Sequence, residues 1–186
     1  HQLKDSGAKA IIILENFAHT LAQVLSRTQV RHVVVASMGD TLGLKGKVVN
    51  FVVRHVKKMV PEFQLPAAIR FNDMLAEGAR AGFKPVEITQ EDIAFLQYTG
   101  GTTGPAKGAV LTQRSYMSNR HQVLEWLDLR EDDVALSAFP LFHIAGLALG
   151  GFTMTRGITQ ICVPNPRDAH FRARTRTWLV RDRAHA

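Results

Sequence analysis

Cysteine is almost absent from this chain: Cys162 is the only one, so no internal disulfide can form and a cytoplasmic setting is favoured. Set in Ile161-Cys162-Val163, it reads as a buried core thiol. Long hydrophobic runs are missing too. The longest, such as Ile144 to Phe152, are short and broken by glycines, which excludes a transmembrane span of the usual length. The 8 histidines do not recur at metal-ligand spacing, so no metal held by the protein itself is expected. The start, His1-Gln2-Leu3-Lys4-Asp5, has neither an initiating Met nor a charged region ahead of an apolar core. The sequence therefore reads as a piece of something longer, without a signal peptide.

Acidic residues are outnumbered, 16 against 23 Lys and Arg, for a net charge of +7. The excess is uneven: Arg172, Arg174, Arg176, Arg181 and Arg183 face a single acid, Asp182, in the last stretch. That tail lacks a regular apolar period, so solvated or non-native sequence explains it better than a nucleic-acid surface, and no nucleic-acid partner is expected. What is present is globular. Hydrophobic content of 46% and charged content of 21% over 186 residues suit one domain with a sizeable core.

Along the chain, Ala10 to Leu14 is a continuous apolar run, typical of a strand covered on both faces. Asn16 is placed to cap a helix carrying Phe17, Leu21, Val24 and Leu25, and His32 to Ala36 is the next strand. Strand, helix and strand at that spacing make a βαβ unit, hence a mostly parallel sheet flanked by helices and an α/β fold. Lys45 to Val60 puts Val48, Val49, Val52, Val56, Met59 and Val60 at helical spacing opposite Lys47, Arg54, Lys57 and Lys58. The preferred reading is a helix docked on its own domain with a solvated basic face. The other is peripheral contact with an anionic membrane, at the inner face. Pro61 and Pro66 end that helix; Asn72 or Asp73 caps a short helix that Gly82 stops. Further strands are expected at Asp92 to Tyr98, Ala109 to Leu111, Val134 to Ser137 and Thr159 to Val163, with helices at Gln113 to Leu127, capped by Thr112, and Ile144 to Met154. Asp128 to Asp133 is an acidic turn whose carboxylates serve capping and solvation.

The stretch around which the rest is organised is Tyr98-Thr99-Gly100-Gly101-Thr102-Thr103-Gly104-Pro105-Ala106-Lys107-Gly108. Its glycines allow positive φ, its threonines bring hydroxyls and Lys107 brings a mobile cation. Converging N–H groups in such a turn form an anion-binding nest, so phosphate binding is preferred over a plain surface turn. A Walker A loop is excluded, because Ala106 precedes Lys107 and Gly108 follows it. A dinucleotide fingerprint is excluded as well: that motif opens a helix, whereas this loop runs between two strands. His143, in Pro140-Leu141-Phe142-His143, follows a strand end where α/β proteins place ligands; a pocket role and a structural role are both open.

The run from Asp92 to Gly104, with Ala106-Lys107-Gly108-Ala109, resembles the phosphate-loop motif of the acyl-adenylate-forming enzymes. Pro140-Leu141-Phe142-His143-Ile144 is similar to their aromatic-histidine motif. Gly101 with Ala106-Lys107, and the segments His1 to Ala10, Phe17 to Thr20, Met38 to Asp40 and Asn50 to Val60, resemble bacterial long-chain fatty acid:CoA ligases. The resemblance covers residues 1 to 169, a partial AMP-binding domain, and leaves 170–186 as an Arg-rich tail foreign to the fold. It implies a fragment of that family's large N-terminal domain, with fatty acid and ATP as substrates, Mg²⁺ on the phosphates and coenzyme A as co-substrate. By the same resemblance Tyr98, Thr99, Gly100, Gly101, Thr102, Thr103, Gly104 and Lys107 hold the ATP phosphates, and His143 lies near the acyl carboxylate. No catalytic residue is assigned within the chain. Gln113 stands where the family commonly has His, no aromatic-Gly-x-Thr-Glu segment for adenine is present, and no lysine follows Lys107. A missing C-terminal domain is thus expected to be needed for activity. The rival reading, from a different functional class, is a non-catalytic basic domain acting on anionic membrane or nucleic acid through Lys45 to Val60 and the arginine tail.

Overall fold

The computed structural model describes residues 1–100, 104–127 and 129–163. Two units emerge: His1–Ile88 with Tyr98–Ala109, and Thr89–Gln97 with the chain from Val110 onward. Strands are spread over a three-stranded and two two-stranded sheets. The expectations for Gly101, Thr102, Thr103, Asp128, Pro164 to Pro166 and the Arg172 to Arg183 tail lie outside the described residues.

In the first unit α1 (Gln2–Asp5) precedes β1 (Ala10–Leu14), which pairs in parallel with β2 (His32–Ala36), Ala10 opposite His32 and Leu14 opposite Ala36. A short β3 (Ile69–Arg70) joins the far side of β2, also in parallel. Both long strands have the predicted bounds, since each apolar run is flanked by residues that break it. Burial differs from expectation. Ile12 and Leu14 are exposed, so β1 is covered on one face rather than both. Nor does Asn16 cap a helix. It sits in a 3₁₀ turn (Glu15–Phe17) ahead of α2 (Ala18–Val24), is buried, and donates from Nδ2 to the Met59 carbonyl at 2.9 Å. Ala18 and Leu21 of α2 form the core with Val33 and Val34 of β2 and Val53.

The basic segment is the clearest correction. Helix α3 spans Gly43–Phe51 and continues as one π-helical turn over Val52–Val56, where Lys57 N–H reaches the Val52 carbonyl at 2.7 Å. It ends at Lys58, whose φ is 49°, before either proline. Its inward seam is Gly46, Val49, Asn50 and Val53, at helical spacing, with Gly46 and Val53 buried. Val48 and Val56, predicted to face inward, are exposed. A glycine and an asparagine carry half the seam, which is why a search for apolar letters missed it. Arg54, though partly exposed, is not left to solvent alone: it holds the buried carboxylate of Glu15 in a forked ion pair, with Nη2–Oε2 at 2.8 Å. Helix α4 (Phe71–Ala81) begins one residue before Asn72, so Asn72 and Asp73 lie in its first turn rather than capping it; Gly82 at φ 73° stops it, as predicted.

Strands β4 (Ile93–Thr99) and β5 (Lys107–Thr112) pair with each other, and the connection over 100–106 is too short for a parallel crossover, so they form a hairpin. In the second unit Thr112 caps α5 (Gln113–Trp126), its hydroxyl accepting from Ser115 N–H at 3.2 Å. Then β6 (Val134–Ser137) and β7 (Thr159–Cys162) pair in parallel across α6 (Ile144–Arg156), which Gly157 ends at φ 67°. Tyr116 links α5 to α6: its hydroxyl donates to the Leu147 carbonyl at 3.3 Å and its ring meets Phe95 edge-on. Cys162 is exposed, not a core thiol, because it is the outward-facing last residue of β7.

Candidate phosphate loop and aromatic-histidine corner

The predicted site residues fall into two groups, one in each unit. In the first, β4 delivers Tyr98 and Thr99, and β5 opens with Lys107. The Thr99 hydroxyl donates across this stem to the Lys107 carbonyl at 3.4 Å, so its proton is not offered to a ligand here. Lys107 is exposed and, among the described residues, has no carboxylate partner. The loop glycines allow positive φ, but neither Gly100 nor Gly104 uses that freedom. What they supply instead is room: no atom lies within 4 Å of a Cβ built on either. Space around Gly100 and Gly104, with a lysine lacking a carboxylate partner among the described residues, fits an anion.

Tyr98 is committed. Its hydroxyl donates to Asp5 Oδ2 at 2.6 Å, and that hydrogen bond, followed by desolvation and the negative charge of Asp5, raises its pKa above 10.0. Its ring lies against Gly108, where a Cβ would come within 3.1 Å of the ring. On the loop's other side His1 Nε2 meets the Ala106 carbonyl at 3.0 Å. A cavity of about 710 Å³ lies beside it, lined by His1, Lys4, Arg27, Thr28, Pro105 and Ala106. Sequence reading missed Asp5, because 93 residues separate it from Tyr98 and no local pattern marks it; Gly108 closes the stretch singled out in sequence, but its contact with the Tyr98 ring is not visible there.

In the second unit His143 caps α6. Its Nδ1 accepts from Ala145 N–H at 3.2 Å, which puts the proton of the neutral ring on Nε2, a nitrogen without a partner among the described residues. The turn before it is held tightly: His143 N–H reaches the Pro140 carbonyl at 2.9 Å, and a Cβ on Gly146 would lie 2.1 Å from that same oxygen. Gln97 Nε2 fixes the Phe142 carbonyl at 3.1 Å. Beside this corner is a cavity of about 420 Å³ lined by Ser137, Phe139, Pro140, Leu141, Phe142 and Cys162. Ser137 is 3% exposed, and its hydroxyl has no partner among the described residues. An apolar cavity with one buried hydroxyl and a fixed imidazole nearby suits a largely apolar ligand with a polar end.

Residues 1–181 match the family model described as AMP-binding enzyme. The chain belongs to that family. This AMP-binding enzyme chain is 47% identical over 173 residues to a long-chain-fatty-acid–CoA ligase of Salmonella typhimurium, covering 90% of this chain and 31% of the relative. It thus spans about a third of that relative's length. Its fold is similar to a putative long-chain-fatty-acid CoA ligase from Rhodopseudomonas palustris, with TM-score 0.68 at 20% identity over 93% of this chain and 36% of that one. It is also similar to ATP-bound MatB from Rhodopseudomonas palustris, with TM-score 0.55 at 22% identity over 84% of this chain and 30% of that one. These matches agree with the resemblance read from the sequence and lend no support to a non-catalytic basic domain. Among the described residues no helix is long and apolar enough to cross a membrane.

Proposed function

We propose that this chain supplies the phosphate-binding part of a long-chain fatty acid:CoA ligase, which uses ATP to activate a fatty acid as acyl-adenylate and passes the acyl group to coenzyme A. The observation that carries the proposal is Lys107 at the foot of the glycine–threonine stretch, exposed and without a carboxylate partner among the described residues, with open space around Gly100 and Gly104. In this reading Thr99, Gly100, Gly101, Thr102, Thr103, Gly104 and Lys107 surround the phosphates with Tyr98 behind them. Lys107 stabilises the charge that develops as pyrophosphate leaves. Carried on the phosphates, Mg²⁺ would supply charge neutralisation there, with no ligand to it assigned to this chain's side chains. His143 offers Nε2–H to the fatty acid carboxylate, and the apolar side chains of α6 line part of the acyl path. The domain boundary is proposed at residue 169, with the family match running on to residue 181. Because the adenine segment and the second lysine of the family have no counterpart here, activity is assigned to the chain joined to the remainder that the relatives carry.

The decisive experiment joins this chain to that remainder and measures fatty-acid-dependent pyrophosphate release. Lys107→Ala is expected to slow it by about 10²-fold, the usual cost of losing one charge-stabilising donor. An unchanged rate would sink the loop assignment.

A second reading concerns location. The exposed ridge Leu44, Val48 and Phe51 runs beside Lys45 and Lys47, with Lys57 and Lys58 following, and no acid lies between residues 41 and 60. That arrangement fits peripheral contact with anionic lipid at the inner membrane face. Co-sedimentation with phosphatidylglycerol vesicles that survives Leu44→Asp with Phe51→Asp would remove it.

A further inference from the structure

We infer that Asp5 is a positioning residue for the phosphate loop, acting through the Tyr98 hydroxyl, and that Gly108 exists to let the Tyr98 ring lie across the stem; this rests on the phosphate-loop reading above. A loop of glycines and threonines has little of its own to hold its amides in one orientation. Preorganised donors act only when they are already aimed before the ligand arrives. The orientation must therefore come from the feet of the loop.

Both feet are tied to the same short helix. On the incoming side, Tyr98 spans from β4 to α1, where its hydroxyl meets Asp5 Oδ2 at 2.6 Å. A phenol donating to a carboxylate makes a charge-assisted bond, stronger than a neutral pair. Along its length the ring rests on the first turn of β5: a Cβ on Gly108 would sit 3.1, 3.2 and 3.4 Å from three ring carbons, tighter than the packing permits without displacement. On the outgoing side, His1 at the start of α1 meets the Ala106 carbonyl at 3.0 Å. One helix thus holds both ends of the turn, and the Tyr98 ring acts as the spacer that fixes their separation. The Tyr98 hydroxyl is spent on Asp5, so its contribution to phosphate affinity is indirect.

The test is calorimetric titration of this chain with magnesium pyrophosphate. Tyr98→Phe and Asp5→Asn are each expected to weaken binding roughly 10-fold, the value of one charge-assisted hydrogen bond. The double variant should be no weaker than Tyr98→Phe alone, because the phenol-to-carboxylate bond that Asp5→Asn weakens is already gone; the Tyr98 hydroxyl also reaches the Gln2 carbonyl at 3.5 Å, a contact that only Tyr98→Phe removes. Thermal midpoints should stay with that of the unaltered chain, since Asp5 is exposed and the ring is kept. Lys107→Ala serves as the reference. If it weakens binding while Tyr98→Phe and Asp5→Asn do not, this inference falls and the loop reading stands. If the two single effects add in the double variant, the coupling through Tyr98 is refuted. If the unaltered chain does not bind pyrophosphate, or Lys107→Ala binds as well as it does, the loop reading itself fails and this inference with it.

Discussion

Two corners of the molecule share one plan and differ in outcome. Each follows the carboxyl end of a parallel strand, turns, and enters a helix whose third or fourth residue is a glycine packed on the turn's backbone: Gly46 of α3 against Gly39, and Gly146 of α6 against Pro140. After β2 the polar groups of Ser37, Gly39, Asp40, Asn50 and Arg54 are joined in one network. Asp40 Oδ2 accepts from Ser37 N–H at 2.7 Å, Asn50 Oδ1 accepts from Gly39 N–H at 2.8 Å, and Arg54 donates to both Ser37 and Glu15. After β6 the Ser137 hydroxyl is buried without a described partner, Phe139, Leu141 and Phe142 are exposed, and a cavity of about 420 Å³ remains. The same supersecondary unit serves as a closed joint in one place and an open one in the other. Polar residues reaching back from the helix make the difference, and the corner proposed to bind ligand is the one that lacks them.

The comparison breaks most readily at the ion pair. Arg54→Ala leaves Glu15, 4% exposed, as an unpaired buried charge, and should lower stability by roughly 3 kcal/mol in urea unfolding. Glu15→Gln should cost less, because the Arg54 side chain is 40% exposed and can turn to water. Next comes the glycine contact. A Cβ on Gly46 would lie 1.8 Å from the Gly39 carbonyl oxygen, so Gly46→Ala should cost about 2–3 kcal/mol by the same assay.

Polar replacements should then separate the two corners. Asn50→Ala removes an acceptor and a donor from a closed network and is expected to cost about 1–2 kcal/mol. Ser137→Ala removes a hydroxyl without a described partner and should be near neutral or stabilising. A loss at Ser137 matching that at Asn50 would erase the contrast. The smallest effect concerns an exposed turn that resembles the closed corner in form only. Asp92 accepts from the Thr89 N–H and then from its hydroxyl, which holds its pKa below 3.8. Its contribution is present above 3.8 and lost as pH falls through the lower folded value. A carboxyl-carbon NMR titration with its midpoint at or above 3.8 would contradict this.

Much of this was legible in sequence where short-range chemistry decides. The strands Ala10–Leu14, His32–Ala36 and Val134–Ser137, the Thr112 cap and the Gly82 stop all follow from apolar runs and punctuation. The failures share a cause. Asn16 looked like a cap because its type suits one, but its amide is used by Met59, far along the chain. Arg54 looked solvated because its helical neighbours are lysines, while its partner Glu15 lies 39 residues earlier. The inward seam of α3 was hidden because Gly46 and Asn50 are buried for closeness and hydrogen bonding rather than for apolar area. At the loop, residue types point to the anion site proposed above, whereas the hydrogen bond from Tyr98 to Asp5 could not be seen without the fold.

Gly39 and Gly46 carry a consequence for how this sequence can vary. Each occupies the space that the other's side chain would need, since a Cβ on Gly39 would come within 2.3 Å of the Gly46 carbonyl oxygen. Neither position can therefore be explored by single steps, and a compensating change at one opens no room at the other, because the obstruction is backbone on both sides. A library randomised at the two codons and selected for folded chain should return glycine at both, making the pair a dead end for drift beside a helix whose exposed face is free to change.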